Sequence, residues 1–400
     1  MYTDKKQING LAFLFAITYM VSYITRINYG AVISEIEAST SMSRALLSMA
    51  VTGSFITYGA GQIVSGFFGD RFSPKKLVLY GLITTVMMNF LIPLCSSPYL
   101  MTAVWCVNGF AQSFMWPPMV KIMTSLLSAD EYKKTTVKVS WGSSCGTIAV
   151  YLVSPLIISL VGWRGVFVFS AICGLIIIFV WNKFACDVPV KEAVRTIRKS
   201  DKSLFAPVML CIMLAIILQG MLRDGITTWM PSYIAQTYDL SNVISILTGV
   251  ILPVFSIICF HITSSLHRRL FVNPILCSGV IFGAGAVAAV ALYIFTGNNA
   301  ALSVILSAIL TGCMHGVNLI LICMIPSYFT KRGNVSTVSG VLNSCTYIGS
   351  AISTYGIAAL SENFGWDFTL FTWLIIGVVG TAVCLISAVP WTKFNEKYLQ

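Results

Sequence analysis

Apolar residues dominate this chain in twelve runs of about 20 positions each, separated by short polar breaks. The runs fall near 8–34, 44–68, 77–96, 99–128, 137–160, 164–184, 205–234, 241–266, 271–295, 300–329, 335–360 and 366–389. A helix of about 20 residues crosses a hydrocarbon core of roughly 30 Å. Backbone in lipid must satisfy its own hydrogen bonds, so each run predicts a helix, and nothing resembles the alternating ten-residue segments of a barrel. The fold class expected is an all-α integral membrane protein. The segment near the N-terminus, with Lys5 and Lys6 ahead of its apolar run, reads as a first helix; the run is too long for a cleaved signal and no small-residue cleavage site follows.

Composition agrees with this reading. The 400 residues are 57% hydrophobic and 10% charged, with a mean hydropathy of +0.84, against about 25% charged residues in soluble domains. The net charge of +11 is mostly topology. With both termini cytoplasmic, every Lys and Arg falls on the inner side except Arg44 and Arg164 in outer loops and Arg26, Lys121 and Arg223 inside runs. This is a positive-inside bias, and no nucleic-acid partner is expected. The 12 cysteines are scattered without a CxxC pair, so neither a disulfide framework nor a metal site is expected. No nucleophile–base set or phosphate loop points to an enzyme, and no cofactor is expected.

The longest polar break, Lys183 to Ser203, divides six runs from six. The expected organisation is an N-terminal six-helix half (1–184), a cytoplasmic linker (185–204) and a C-terminal six-helix half (205–400). The halves echo each other: Arg26 lies in the first helix and Arg223 in the seventh, and SWGSSCG (140–146) has a loose echo in SGVLNSCTYIG (339–349). Parallel repeats of this kind are a transporter architecture, with the substrate at their interface. Arg26 and Arg223 are then expected at matching depths, facing each other across a central cavity.

A buried guanidinium costs about 2.5–3.5 kcal/mol on insertion scales. Asp224, beside Arg223, is the only acid in the interior of a run, the other 13 carboxylates lying in loops, tails or at run ends, so negative charge is expected to arrive with the substrate. Guanidinium binds phosphate through a rigid fork, and two such groups suit one phosphoryl group. Tyr19, Ser22, Tyr23 and Arg26 share a helical face, as do Gln219, Arg223 and Thr227. Tyr58 and Gln62, Gln112 and Trp116, Cys145, His315 and Asn318, and Asn343 complete the candidate substrate-binding set, and polar side chains of these types also serve as glue between membrane helices. Lys121 is expected to snorkel toward the cytoplasm or to touch substrate; with Asp224 it is a candidate charge partner.

The loop GFFGDRFSPKK (66–76) resembles the G-x-x-x-D-R-x-x-R-K signature of the major facilitator superfamily at Gly66, Asp70, Arg71, Lys75 and Lys76, with the basic residues shifted by one. The resemblance implies a conformational latch, with Asp70 engaging helix N-termini or basic groups. YITRINYGAVI (23–33), ITYGAGQIVSGFFGDR (56–71), NGFAQSFMWPPMVK (108–121), GWRGVFVF (162–169) and LRDGITTWMPSYI (222–234), in this order, resemble one subgroup, the organophosphate:phosphate antiporters, which includes glycerol-3-phosphate and hexose-phosphate transporters. That resemblance implies exchange of an organophosphate for inorganic phosphate by alternating access, in a monomer of the bacterial inner membrane. It assigns Arg26 and Arg223 to phosphate and Tyr23, Tyr58 and Trp116 to the site. Two positions depart from it: Gln62 stands where members carry a basic residue, and Cys145 where they carry a histidine. Both departures lower the positive charge and leave open a monoanionic organophosphate or a carboxylate. A proton- or ion-coupled symporter of organic anions and a transporter-like sugar-phosphate sensor are the alternatives. A drug exporter fits poorly, because GTIAVYLVSP (146–155) lacks the Gly-Pro pattern expected of one.

Overall fold

Prolines and short polar caps set where several helices begin. In the computed structural model, which describes residues 4–40, 42, 44–188, 204, 206–240 and 248–398, Ser73 accepts from the Lys76 amide ahead of Pro74, Ser97 from Leu100 ahead of Pro98, and Asn273 from Ile275 and Leu276 ahead of Pro274. The capping oxygen satisfies amides that the first turn leaves without an intrahelical acceptor. Proline at that position gives up no hydrogen bond.

The helices are α1 (Lys5–Thr40), α2 (Arg44–Gly69), α3 (Pro74–Leu91), α4 (Pro98–Gln112), α5 (Trp116–Leu126), α6 (Ala129–Val161), α7 (Trp163–Phe184) and α8 (Pro207–Tyr238). They continue with α9 (Ile251–Arg269), α10 (Pro274–Phe295) and α11 (Ala300–Asn318), which runs into a π turn (Leu319–Met324) and a 3-10 segment (Ile325–Arg332). The last stretch, Val335–Tyr398, is broken at Gly365 into α12 (335–364) and α13 (366–398). Residues 189–203, most of the expected linker, lie outside the described residues, as do 241–247 at the start of the eighth expected run.

Among the described residues, nine helices are long and apolar enough to cross a membrane. The other three expected runs, 44–68, 99–128 and 335–360, are helical but less apolar. Gly53, Gly59, Gly61, Gln62 and Gly66 dilute the hydropathy of α2. The run 99–128, expected as one helix, is two. Pro117 and Pro118 lack the N–H groups that would carry α4 onward, so the chain turns after Gln112 and restarts at Trp116. The surface is apolar: Leu160 is 81%, Val272 84% and Ile386 75% exposed, a cost in water and a gain in lipid. This is a multi-pass membrane protein.

The chain parts into two compact units, Met1–Thr196 with Arg332–Ser344, and Ile197–Lys331 with Cys345–Gln400. Each carries the same device where two helices meet. Gly162 (φ 76, ψ 177) precedes Trp163 between α6 and α7, and Gly365 (φ 78, ψ 177) precedes Trp366 between α12 and α13. Only glycine holds that backbone region without strain. Gly162→Ala is therefore expected to lower stability by about 1–3 kcal/mol, read as a fall in the melting temperature of the detergent-solubilised protein; an unchanged melting temperature would show that the junction relaxes.

Candidate functional site

In the first unit the site is built on α1. Tyr19, Tyr23 and Arg26 recur at helical spacing and fall on one face. The Arg26 guanidinium carbon lies 4.3 Å from the Tyr23 ring centroid and 4.7 Å from that of Tyr58 on α2. Tyr19 packs at 5.2 Å on Tyr23 and at 5.2 Å on Trp116, the first residue of α5. The ring quadrupoles stabilise a cation by about 0.5–2 kcal/mol each, which is how an apolar segment tolerates this charge. Tyr58 and Trp116 are buried, and the Trp116 indole N–H finds no acceptor among the described residues.

Behind Arg26 runs a buried polar network. The Thr25 carbonyl accepts from Asn89 Nδ2 at 3.0 Å and Asn108 Nδ2 at 3.2 Å, and its hydroxyl accepts from Gln112 Nε2 at 2.9 Å. Asn28 Nδ2 donates to Asn89 Oδ1 at 2.8 Å and Ser170 Oγ at 3.0 Å. These bonds tie α1 to α3, α4 and α7 and fix the rotation of the face that carries Arg26. The sequence reading did not single out Thr25, Asn28, Asn89, Asn108 and Ser170; their signal was amides and hydroxyls inside otherwise apolar runs.

The second unit holds its arginine differently. Arg223 Nε and Nη2 donate to Asp224 Oδ1 at 2.6 Å and Oδ2 at 2.8 Å, a two-pronged pair between adjacent residues. The Ser350 hydroxyl on α12 donates to Asp224 Oδ2. His315 on α11 lies within electrostatic reach of both members of the pair, and its ring packs edge-on to Phe260 of α9 at 5.6 Å.

Three expected site amides are fully buried and bound between helices. Gln62 Nε2 donates to the Ser113 carbonyl at 3.3 Å, Gln112 Nε2 to Thr25, and Gln219 Nε2 to the Met314 carbonyl at 3.0 Å. Cys145 is exposed on α6, Asn343 is buried on α12, and Asn318 is half-buried at the end of α11. The structure thus gathers Arg26, Tyr23, Tyr58 and Trp116 in one cluster and Arg223, Asp224 and His315 in another.

The expected latch residues divide. The Ser336 and Thr337 amides donate to Asp70 Oδ1 at 3.1 Å and Oδ2 at 2.7 Å, so the carboxylate caps the N-terminus of α12. Lys121 Nζ lies 3.1 Å from Asp70 Oδ1 and donates to the Gly333 carbonyl at 3.0 Å. Lys121, expected to snorkel, to touch substrate or to act as a charge partner, is an ion-pair partner of Asp70, whose carboxylate is mostly buried. Gly66 allows this approach, since a Cβ there would lie 2.6 Å from the Ser336 carbonyl oxygen. Arg71 turns away, stacking at 3.3 Å on Phe67 and donating to its carbonyl at 3.0 Å. Lys75 donates to the Asn182 carbonyl at 2.9 Å, and Lys76 is exposed.

By its family this multi-pass helical chain is of the class of membrane transporters, not enzymes. It belongs to the Major Facilitator Superfamily, whose family profile matches residues 15–354. Over 95% of its length it superposes on 95% of the proton:xylose symporter XylE bound to 6-bromo-6-deoxy-D-glucose, with a TM-score of 0.76 at 12% identity, a likeness of fold. It is 27% identical over 184 residues, 46% of this chain, to a probable hexose phosphate transport protein of Chlamydia muridarum, and that match spans only 40% of the relative's length. It is 29% identical over 146 residues, 36% of this chain, to the membrane sensor protein UhpC of Salmonella typhimurium, spanning 33% of that protein. With the glycerol-3-phosphate transporter of Bacillus subtilis it shares 23% identity over 88% of this chain and 85% of the relative. The resemblance to organophosphate:phosphate antiporters read from the sequence is thus matched by relatives of those names.

Proposed function

We propose that this protein exchanges an organophosphate of the sugar- or glycerol-phosphate type for inorganic phosphate by alternating access, with Arg26 and Arg223 as the phosphoryl-binding residues. The observation that carries the reading is the Arg26 cluster. The Tyr23 and Tyr58 rings hold a guanidinium within an apolar helix, and a guanidinium is the side chain whose planar fork suits an oxyanion. The Trp116 N–H, joined to the cluster through Tyr19, adds a buried donor suited to a ligand oxygen, and leaving it unmet costs about 1–3 kcal/mol. The names of the relatives support the same substrate class. The placement of Lys and Arg supports cytoplasmic termini and a cytoplasmic linker between the halves 1–184 and 205–400, and the resemblance supports a monomer in the inner membrane.

The test is reconstitution into liposomes loaded with phosphate. Labelled phosphate is expected to enter only when phosphate or an organophosphate is inside, and a panel of competing organophosphates identifies the partner. Entry into empty liposomes driven by an imposed pH gradient would replace antiport by proton-coupled symport. The relatives named as membrane sensors favour one second reading, a sugar-phosphate receptor. Saturable binding without exchange selects it.

A further inference from the structure

The two clusters treat their arginines in opposite ways. Arg26 meets ring faces, whereas the Arg223 edge formed by Nε and Nη2 already holds a carboxylate in the geometry an oxyanion takes. We propose that Asp224 is an internal competitor for Arg223, and that an oxyanion reaching this guanidinium replaces Asp224, which takes up a proton from water as it lets go. The proposal rests on the reading that Arg223 binds the transported anion.

Three observations support it. The pair joins adjacent residues of α8, so its two charges come from one helix. The Asp224 side chain is 30% and that of Arg223 14% exposed, so the carboxylate is the more accessible member of the pair. A carboxylate stripped of its cation in this setting is costly, and protonation removes the cost. In the neutral form, the protonated oxygen donates a hydrogen bond and the other oxygen still accepts from Ser350. Among the described residues, the other titratable groups in electrostatic contact with the pair are His315 on α11 and Cys323 in the π turn; Ser350 of α12 carries no charge. Binding an anion together with a proton makes Asp224 a coupling residue, and it sets the net charge that moves with the substrate.

Sulfate is the first probe, because it stays divalent across the working pH range and any pH dependence then belongs to the protein. Purified full-length protein is titrated calorimetrically with sulfate and with phosphate at pH 6 and pH 8, in buffers of different ionisation enthalpy that count protons. Wild type is expected to take up protons on binding and to bind sulfate more tightly at pH 6. Asp224→Asn is expected to bind about tenfold tighter at pH 8, with no proton uptake and no pH dependence. Unchanged or weaker binding in Asp224→Asn overturns the proposal, as does proton uptake that survives in it. If sulfate binds with this linkage and phosphate does not bind, the phosphate reading fails and the role of Asp224 stands. If neither anion binds either protein, both fall.

Discussion

Arg26→Lys should reduce phosphate exchange by about 100-fold, equivalent to about 2.7 kcal/mol. The charge is kept, so a purely electrostatic role predicts a modest loss. The structure argues for a larger one. Lysine replaces a planar ion packed on Tyr23 and Tyr58 with a compact, strongly hydrated ammonium, which stacks poorly on the rings and offers an oxyanion no parallel pair of donors. The measurement is initial exchange rate in liposomes against substrate concentration, with melting temperature as the check on folding. A well-folded variant within threefold of wild type would remove Arg26 from the phosphoryl site. Arg223→Lys is expected to lose less, because Arg223 shares its fork with Asp224 even before substrate arrives.

Asp70→Asn should loosen the start of α12. Asp70 accepts from the Ser336 and Thr337 amides, where a helix N-terminus offers unsatisfied donors and the positive end of its dipole, and it balances Lys121. Hydrogen bonds to a charged acceptor contribute about 1.5–3 kcal/mol. An asparagine keeps one acceptor oxygen but aims an amide N–H at one of the two donors and leaves Lys121 without its counter-ion. A loss of about 2–3 kcal/mol, or about 30- to 150-fold in the opening equilibrium, is expected. Hydrogen–deuterium exchange over residues 333–340 measures it directly. Unchanged protection of that peptide would mean that close packing, with Gly66 against Ser336 and Gly340, holds the junction without the charge.

Much of the architecture was legible in the chain. Apolar runs of membrane-crossing length were read from the pattern of apolar positions, and the resemblance of the Asp70 loop implied that its carboxylate meets a helix N-terminus or a basic group. The repeated Gly-Trp pair at 162–163 and 365–366 was equally available, but its meaning depends on a positive φ that no letter displays. The clustering of the candidate residues was half legible: Tyr23, Arg26 and Tyr58 lie together, whereas Gln62, Gln112 and Gln219, written in the same kind of pattern, bond between helices. Helical spacing says which residues share a face and nothing about what that face meets.

The sequence by itself determined the membrane crossings, because the cost of placing charge or unpaired backbone in hydrocarbon is local and accumulates residue by residue. It likewise determined that Arg26 and Arg223 need an explanation. Only the tertiary structure decided what each polar group chose as a partner. Lys121 found Asp70, Gln112 found Thr25, and Arg26 found two tyrosine rings, while Arg223 found the carboxylate next to it. Hydrogen bonds and ion pairs act over about 3 Å, and which groups come that close is set by how helices distant in sequence pack.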